Sequence, residues 1–332
     1  NCGYGGICGI LNGDYLINCY SLSSLKNAGY YSGKICGMEW GRVDNCYYDS
    51  ETINTRGGRT IEEFENGTVA YLLAKGSDYY PGENSWGQNL DNDEPKQKYP
   101  SLGGAKVYEV NKYSKCDKSD TPVTVYSNTD KEQVPAHVIE NGFCKNCDYL
   151  QPAVLNSENQ YEIGNAGQLY WFAKFTNESE YNSYFSAILT SDIVVNENVL
   201  NDDMELNEGS YRQWTPIGDR YSYEGIFDGN NHTISGLYYD DRSVQRGTLG
   251  FICTAEYSEI KNLGIVDSYF YVNIGTRYTG GICGNSNGNI INCFSICQIE
   301  GDSGYSSNCG YGGICGILNG DYLINCYSLS SL

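Results

Sequence analysis

The strongest constraint on this chain is that it repeats itself. NCGYGGICGILNGDYLINCYSLSSL, residues 1–25, returns unchanged as residues 308–332, an offset of 307. Twenty-five identities in a row do not arise by chance, and self-similarity at a fixed period marks a repeat architecture. The long period reads as one unit of an array, cut from a larger polypeptide.

A shorter period lies inside the long one. GGICGILNGDYLINCYS (5–21), GKICGMEWGRVDNCYYDS (33–50), GGICGNSNGNIINCFS (280–295) and the returning copy at 312–328 share one frame: Gly, apolar residue, Cys, Gly, a turn, then an apolar strand ending Asn-Cys-aromatic. LGFICTAEYSEIKNLGIVDSYF (249–270) fits it with Cys253 in the first Cys position and Leu263 in the second. The spacings Cys8 to Cys36, Cys253 to Cys283 and Cys283 to Cys315 are 28, 30 and 32 residues. That length suits one coil of a parallel β-helix, made of two or three short strands. Stacked coils lie roughly 4.8 Å apart, so equivalent residues form columns and cysteine is expected on cysteine. Plentiful glycine (40) and tyrosine (32) beside scarce methionine (2) favour short strands and tight turns over packed helices.

These repeats resemble the GLUG motif of bacterial cell-surface proteins. WTPIGDRYSYEGIFDGNNHTISGLYY (214–239), YEIGNAGQLYWFAKF (161–175) and TIEEFENGTVAYLLAKG (60–76) resemble other segments of such proteins. The resemblance implies solenoid architecture and surface display rather than a shared reaction. The expected fold is all-β, a right-handed parallel β-helix (β-solenoid) with two short helices and an irregular connecting subdomain. One helix starts at a capping box, Thr60 with Glu63, ahead of Phe64, Val69, Leu72 and Leu73; the other carries Leu169, Phe172 and Phe175 at helical spacing. The division expected is coils at 1–51, a helix-plus-strand connection at 52–115, a small Cys/His-stapled segment at 116–152, a lead-in with a short helix at 153–248, and coils again at 249–332.

Fifteen cysteines, 12 of them within residues 1–307, are many for a cytosolic protein and point outside the cell, to a bacterial surface. A formal net charge of −20, from 41 acidic and 21 basic residues, repels phosphate backbones, so nucleic acid and anionic membranes are not expected partners. No apolar run is long enough to cross a membrane. The partners expected are identical neighbouring units, with a glycan or host-surface ligand as the alternative.

Local chemistry is concentrated in one place. Cys116, His137, Cys144 and Cys147, with a CxxC knuckle and one of only two histidines, make a four-ligand set for structural zinc; disulfides explain the same cysteines equally well. Cys297 and Cys309 are placed to bridge across GDSGYSSN. The column cysteines admit two readings, disulfides between neighbouring coils or buried reduced thiols, the second slightly favoured. His232 near Asp228, in FDGNNHTISG, reads as a solenoid corner rather than a catalytic dyad. Asp91, Asp93 and Glu94, and Asp202, Asp203, Glu205 and Glu208, read as solvated acidic loops, with weak Ca²⁺ binding as the alternative. No nucleophile motif accompanies them, and no enzymatic activity is expected.

Overall fold

The computed structural model describes the chain except residues 1, 27–29, 52, 55, 77–79, 81–85, 92–94, 241, 243–246, 274, 276, 302–308 and 321. Among the described residues the protein is a parallel β-helix, a β-solenoid of about 10 turns with short helices. It divides into two compact units, residues 1–136 and 137–332. The division falls within the 116–152 segment that the sequence suggested as a single piece.

In the first unit, two coils stack in parallel. Tyr4–Gly5 pairs with Ser32–Gly33, Cys8–Leu11 with Cys36–Glu39, Tyr15–Ile17 with Arg42–Asp44, and Tyr20–Ser21 with Tyr47–Asp49. Cys8 stands opposite Cys36 and Tyr20 opposite Tyr47, so the columns expected from the period are present. The chain then turns into two helices, α1 (Ile61–Glu65) and α2 (Thr68–Lys75). Thr60 and Glu63 form the reciprocal capping box, each side chain bonded to the other's backbone N–H. The single helix read from the sequence is broken at Asn66-Gly67. Gly67 takes φ +95°, a conformation that L side chains avoid, and a Cβ there would come within 2.6 Å of Leu90. Phe64, Val69 and Leu73 pack on Tyr47, with Tyr20 and Trp86 closing the cluster.

In the second unit, Gln160–Ile163, Ser186–Leu189, Ile226–Ser235, Ile252–Val272 and Cys283–Ile291 follow one another as parallel rungs, and Cys315–Leu318 adds to the last. Side chains alternate inward and outward, so Phe227, Ile234, Ile252, Ile260, Ile265, Phe270 and Ile290 fill one continuous core. Helix α3 (Ala166–Glu178) is capped by Asn165, whose side chain accepts from the Gln168 N–H. It buries Leu169, Phe172 and Ala173 against that core. Together the two expected helical segments supply three helices.

One part of the sequence frame is shifted. Cys283 stands opposite Ile252, not Cys253. Leu249 pairs with Thr279, so the earlier coil spends one residue fewer before its next rung. Alternation then sends Cys253 off the column, where its Sγ donates to the Thr248 carbonyl at 2.9 Å. The second position holds: Gly264 faces Phe294, which puts Leu263 in the place of Cys293.

Candidate functional site

The best-formed chemical site grows from a hairpin. Ile139–Glu140 and Phe143–Cys144 pair antiparallel around Asn141-Gly142, both with positive φ (46° and 81°), the tightest turn a hairpin accepts. Beyond it, the Cys144-Lys145-Asn146-Cys147 knuckle folds back. The Cys144 N–H donates to the Tyr149 carbonyl at 3.0 Å and the Lys145 N–H to the Val138 carbonyl at 2.9 Å, while the Asn146 N–H points at Cys144 Sγ, 3.4 Å away. That N–H, with hydrogen bonds from His137 and Cys147, outweighs partial burial and pulls the Cys144 thiol down to about 6. His137 stacks flat on Tyr149, ring centroids 4.0 Å apart, which fixes its imidazole, and its Nδ1 lies 3.4 Å from Cys147 Sγ.

The ligand atoms of Cys116, His137, Cys144 and Cys147 all lie within 4.8 Å of one another, and this Cys/His group could bind a metal. Among the described residues it is the one such group found. The donor set fits zinc: tetrahedral Zn–S and Zn–N bonds place a sulfur and a nitrogen roughly 3.6 Å apart, close to the His137–Cys147 separation. These are the four residues that the sequence offered as metal ligands.

The other expectations are placed differently. The Cys297–Cys309 bridge is not formed. Cys297 is buried in the core with Sγ 3.2 Å from Ser330 Oγ, and Cys309 hydrogen-bonds the Tyr311 phenol, which burial and this contact raise. His232 Nδ1 sits 3.2 Å from Asp192 Oδ1, not against Asp228, and the same Asp192 oxygen accepts the Thr233 N–H: a corner brace, as the turn residues implied. In the 201–208 loop, Asn201 Oδ1 accepts from the Asp203 and Glu205 N–H groups. Asp93 and Glu94 lie outside the described residues.

The columns themselves have a repeated geometry. First-position thiols each donate to the carbonyl two residues later: Cys8 to Ile10, Cys36 to Met38, Cys283 to Asn285 and Cys315 to Ile317, at 3.0 to 3.3 Å. Second-position thiols donate to the carbonyl two residues earlier: Cys19 to Ile17, Cys46 to Asp44, Cys293 to Ile291 and Cys326 to Ile324, at 3.2 to 3.3 Å. The Asp44 and Ile324 carbonyls also accept a backbone N–H from the neighbouring coil, Asn18 and Asn292, so there the thiol is a second donor.

Sequence reasoning missed the asparagine beside each second cysteine. Asn18, Asn45, Asn262, Asn292 and Asn325 share φ between 47° and 55°. Their amides form a ladder: Asn45 Nδ2 donates to Asn18 Oδ1 at 2.7 Å, and Asn325 to Asn292, Asn292 to Asn262 and Asn262 to Asp228 at 3.0 to 3.1 Å. The signal was in the Asn-Cys-aromatic motif, where the recurrence of Asn at a fixed place asks for more than a turn.

No protein-family model matches this sequence, and neither does any curated protein or solved structure. Among the described residues no helix is long and apolar enough to cross a membrane.

Proposed function

We propose that this chain is a structural repeat unit of a long extracellular surface protein or fibre, its units joined end to end through continuous β-solenoid coils. One observation carries the reading. The same 25-residue coil is paired on opposite faces in its two occurrences. As residues 1–25 it is followed by the coil at 32–49, Cys8 on Cys36; as 308–332 it follows the coil at 278–301, Cys315 on Cys283. Its side chains are covered accordingly. Leu11 is 8 % exposed and its equivalent Leu318 38 %, whereas Ile7 is 44 % exposed and its equivalent Ile314 9 %. One copy between both neighbours satisfies both faces, which is how solenoid repeats stabilise one another. The resemblance to GLUG surface proteins and the high cysteine content support a location outside a bacterial cell.

A chain of two 307-residue periods tests this. Amide exchange in the joint coil should be slower than in either copy at the ends of the single chain; equal exchange would end the proposal.

Zinc is the metal we assign to the Cys116, His137, Cys144 and Cys147 group, where it would pin a core-poor segment. When bound it supplies no reaction, only four fixed bonds. Elemental analysis of native protein should give one zinc per chain, lost in Cys147→Ser; a metal-free protein with those thiols in disulfides would overturn the assignment.

A second reading, a glycan-binding adhesin, is favoured by a cleft of about 240 Å³ lined by Asp148, Tyr149, Trp171, Lys174, Phe175 and Glu178. Trp171 and Phe175 stack 4.9 Å apart, and aromatic faces flanked by carboxylates suit sugar rings. A glycan array without a hit above background would remove it.

A further inference from the structure

Both cysteine columns carry contacts between coils. In the first, each Sγ bonds a carbonyl of its own coil, and Cys36 also interacts with Cys8 and Cys283 with Cys315 across the coils. In the second, the sulfur also reaches across to the coil before it. Cys46 Sγ lies 3.4 Å from the Leu16 carbonyl, Cys326 Sγ 3.6 Å from the Ile290 carbonyl, and the Cys293 N–H points at Cys326 Sγ at 3.4 Å. Cys293 Sγ makes the same reach, 3.7 Å to the Ile260 carbonyl of a coil that holds Leu263, so the direction toward a partner comes from the thiols themselves: those of Cys19 and Cys46, and of Cys293 and Cys326, hydrogen-bond each other. A disulfide needs that direction as well as a Cα separation within about 4.4–6.8 Å, which the coil spacing of roughly 4.8 Å meets.

We infer that Cys19 with Cys46, and Cys293 with Cys326, are oxidation sites at which a low-molecular-weight disulfide closes a bridge between adjacent coils. The inference rests on the sulfur geometry within each unit and stands apart from the fibre reading.

Chemically, the thiolate of Cys19 or Cys326 attacks one sulfur of oxidised glutathione and expels a glutathione thiolate. The thiolate of Cys46 or Cys293 then attacks the protein sulfur of the mixed disulfide and expels the second. Two S–H bonds are lost and one protein S–S bond forms; the two electrons reduce glutathione disulfide, and the two protons end on the glutathione thiols. The attacking member is prepared for its role. The hydrogen bond from Cys46 holds Cys19 near 7, and that from Cys293 holds Cys326 near 6, while the partner thiols are raised. A thiol with a value close to ambient pH is the best attacker in such exchange.

The experiment uses the whole reduced chain, equilibrated with oxidised glutathione, trapped with N-ethylmaleimide and mapped by mass spectrometry after digestion. Two linkages are expected, Cys19–Cys46 and Cys293–Cys326, each two hydrogens lighter than its reduced pair, with a melting temperature that rises and returns on reduction. Cys46→Ser and Cys326→Ser should each abolish only their own linkage. Serine keeps a donor for the Asp44 or Ile324 carbonyl, and circular dichroism checks that the coils persist. Recovery of all four thiols in alkylated form from the wild-type chain, or bridges in the first column instead, would overturn the inference.

Discussion

An asparagine in left-handed backbone is tolerated because its short amide bonds locally, but here the amide also bonds the next coil, so one residue sets the corner and the stacking. Asn262 both donates to Asp228 and accepts from Asn292. Asn262→Ala should therefore lose two hydrogen bonds and gain backbone strain, about 2 kcal/mol in all. Asn262→Gly relieves the strain alone, so chemical denaturation should place it between alanine and wild type; a glycine variant as stable as wild type would mean that the amide does nothing. At the knuckle the sign of the pH effect is fixed by Cys144. Its folded value, about 6, lies below its ordinary 9.0, so its contribution is complete above pH 9.0 and fades as pH falls through about 6. Protection factors of the amides across residues 139–147 of metal-free protein, each rate taken relative to the intrinsic rate at that pH, should fall over that interval, and constant protection would contradict the assigned hydrogen bonds. The cysteine columns were legible in the sequence because the period alone dictates them. The asparagine ladder was not, since a turn already explains an Asn and hides its second task.

Among the elements, the helices show what sequence pattern resolves and where it stops. The capping box at Thr60 and Glu63 has one geometry and was read correctly, whereas the break at Asn66-Gly67 depends on Leu90, Val107 and Tyr126, which crowd Gly67 from distant parts of the first unit. Likewise Cys253 fits the motif by spelling, yet one residue fewer between paired rungs reverses its face. Such a slip cannot be seen in a chain read without its partner coil. The Cys144 and Cys147 members of the candidate metal group were legible for the opposite reason: a knuckle on an Asn-Gly hairpin is a local structure. Helix α3 makes the energetic point. Phe172 is fully buried between Tyr161, Tyr223 and Phe227, so Phe172→Ala should destabilise the second unit by about 3–5 kcal/mol. Calorimetry should show that unit's transition moving down while the first unit's stays; movement of both together would mean that they unfold as one.

For the whole molecule, the repeated coil and the second thiol column meet in a single consequence. If one coil serves both neighbours, its cysteine, Cys326 of one period and Cys19 of the next, stands between Cys293 below and Cys46 above. Three thiols in file close only one bridge. A single chain has both pairs intact and can oxidise both. A chain of two periods should instead keep one alkylatable second-column thiol at its joint, however long the oxidation. Where the label falls tests continuity, because a coil shared by two neighbours exchanges its bridge between them. Label should then appear on Cys293 in some molecules and on Cys46 of the following period in others. A joint coil that pairs with one side alone would place all the label on one residue, and the continuous solenoid would be refuted while the bridges themselves remained.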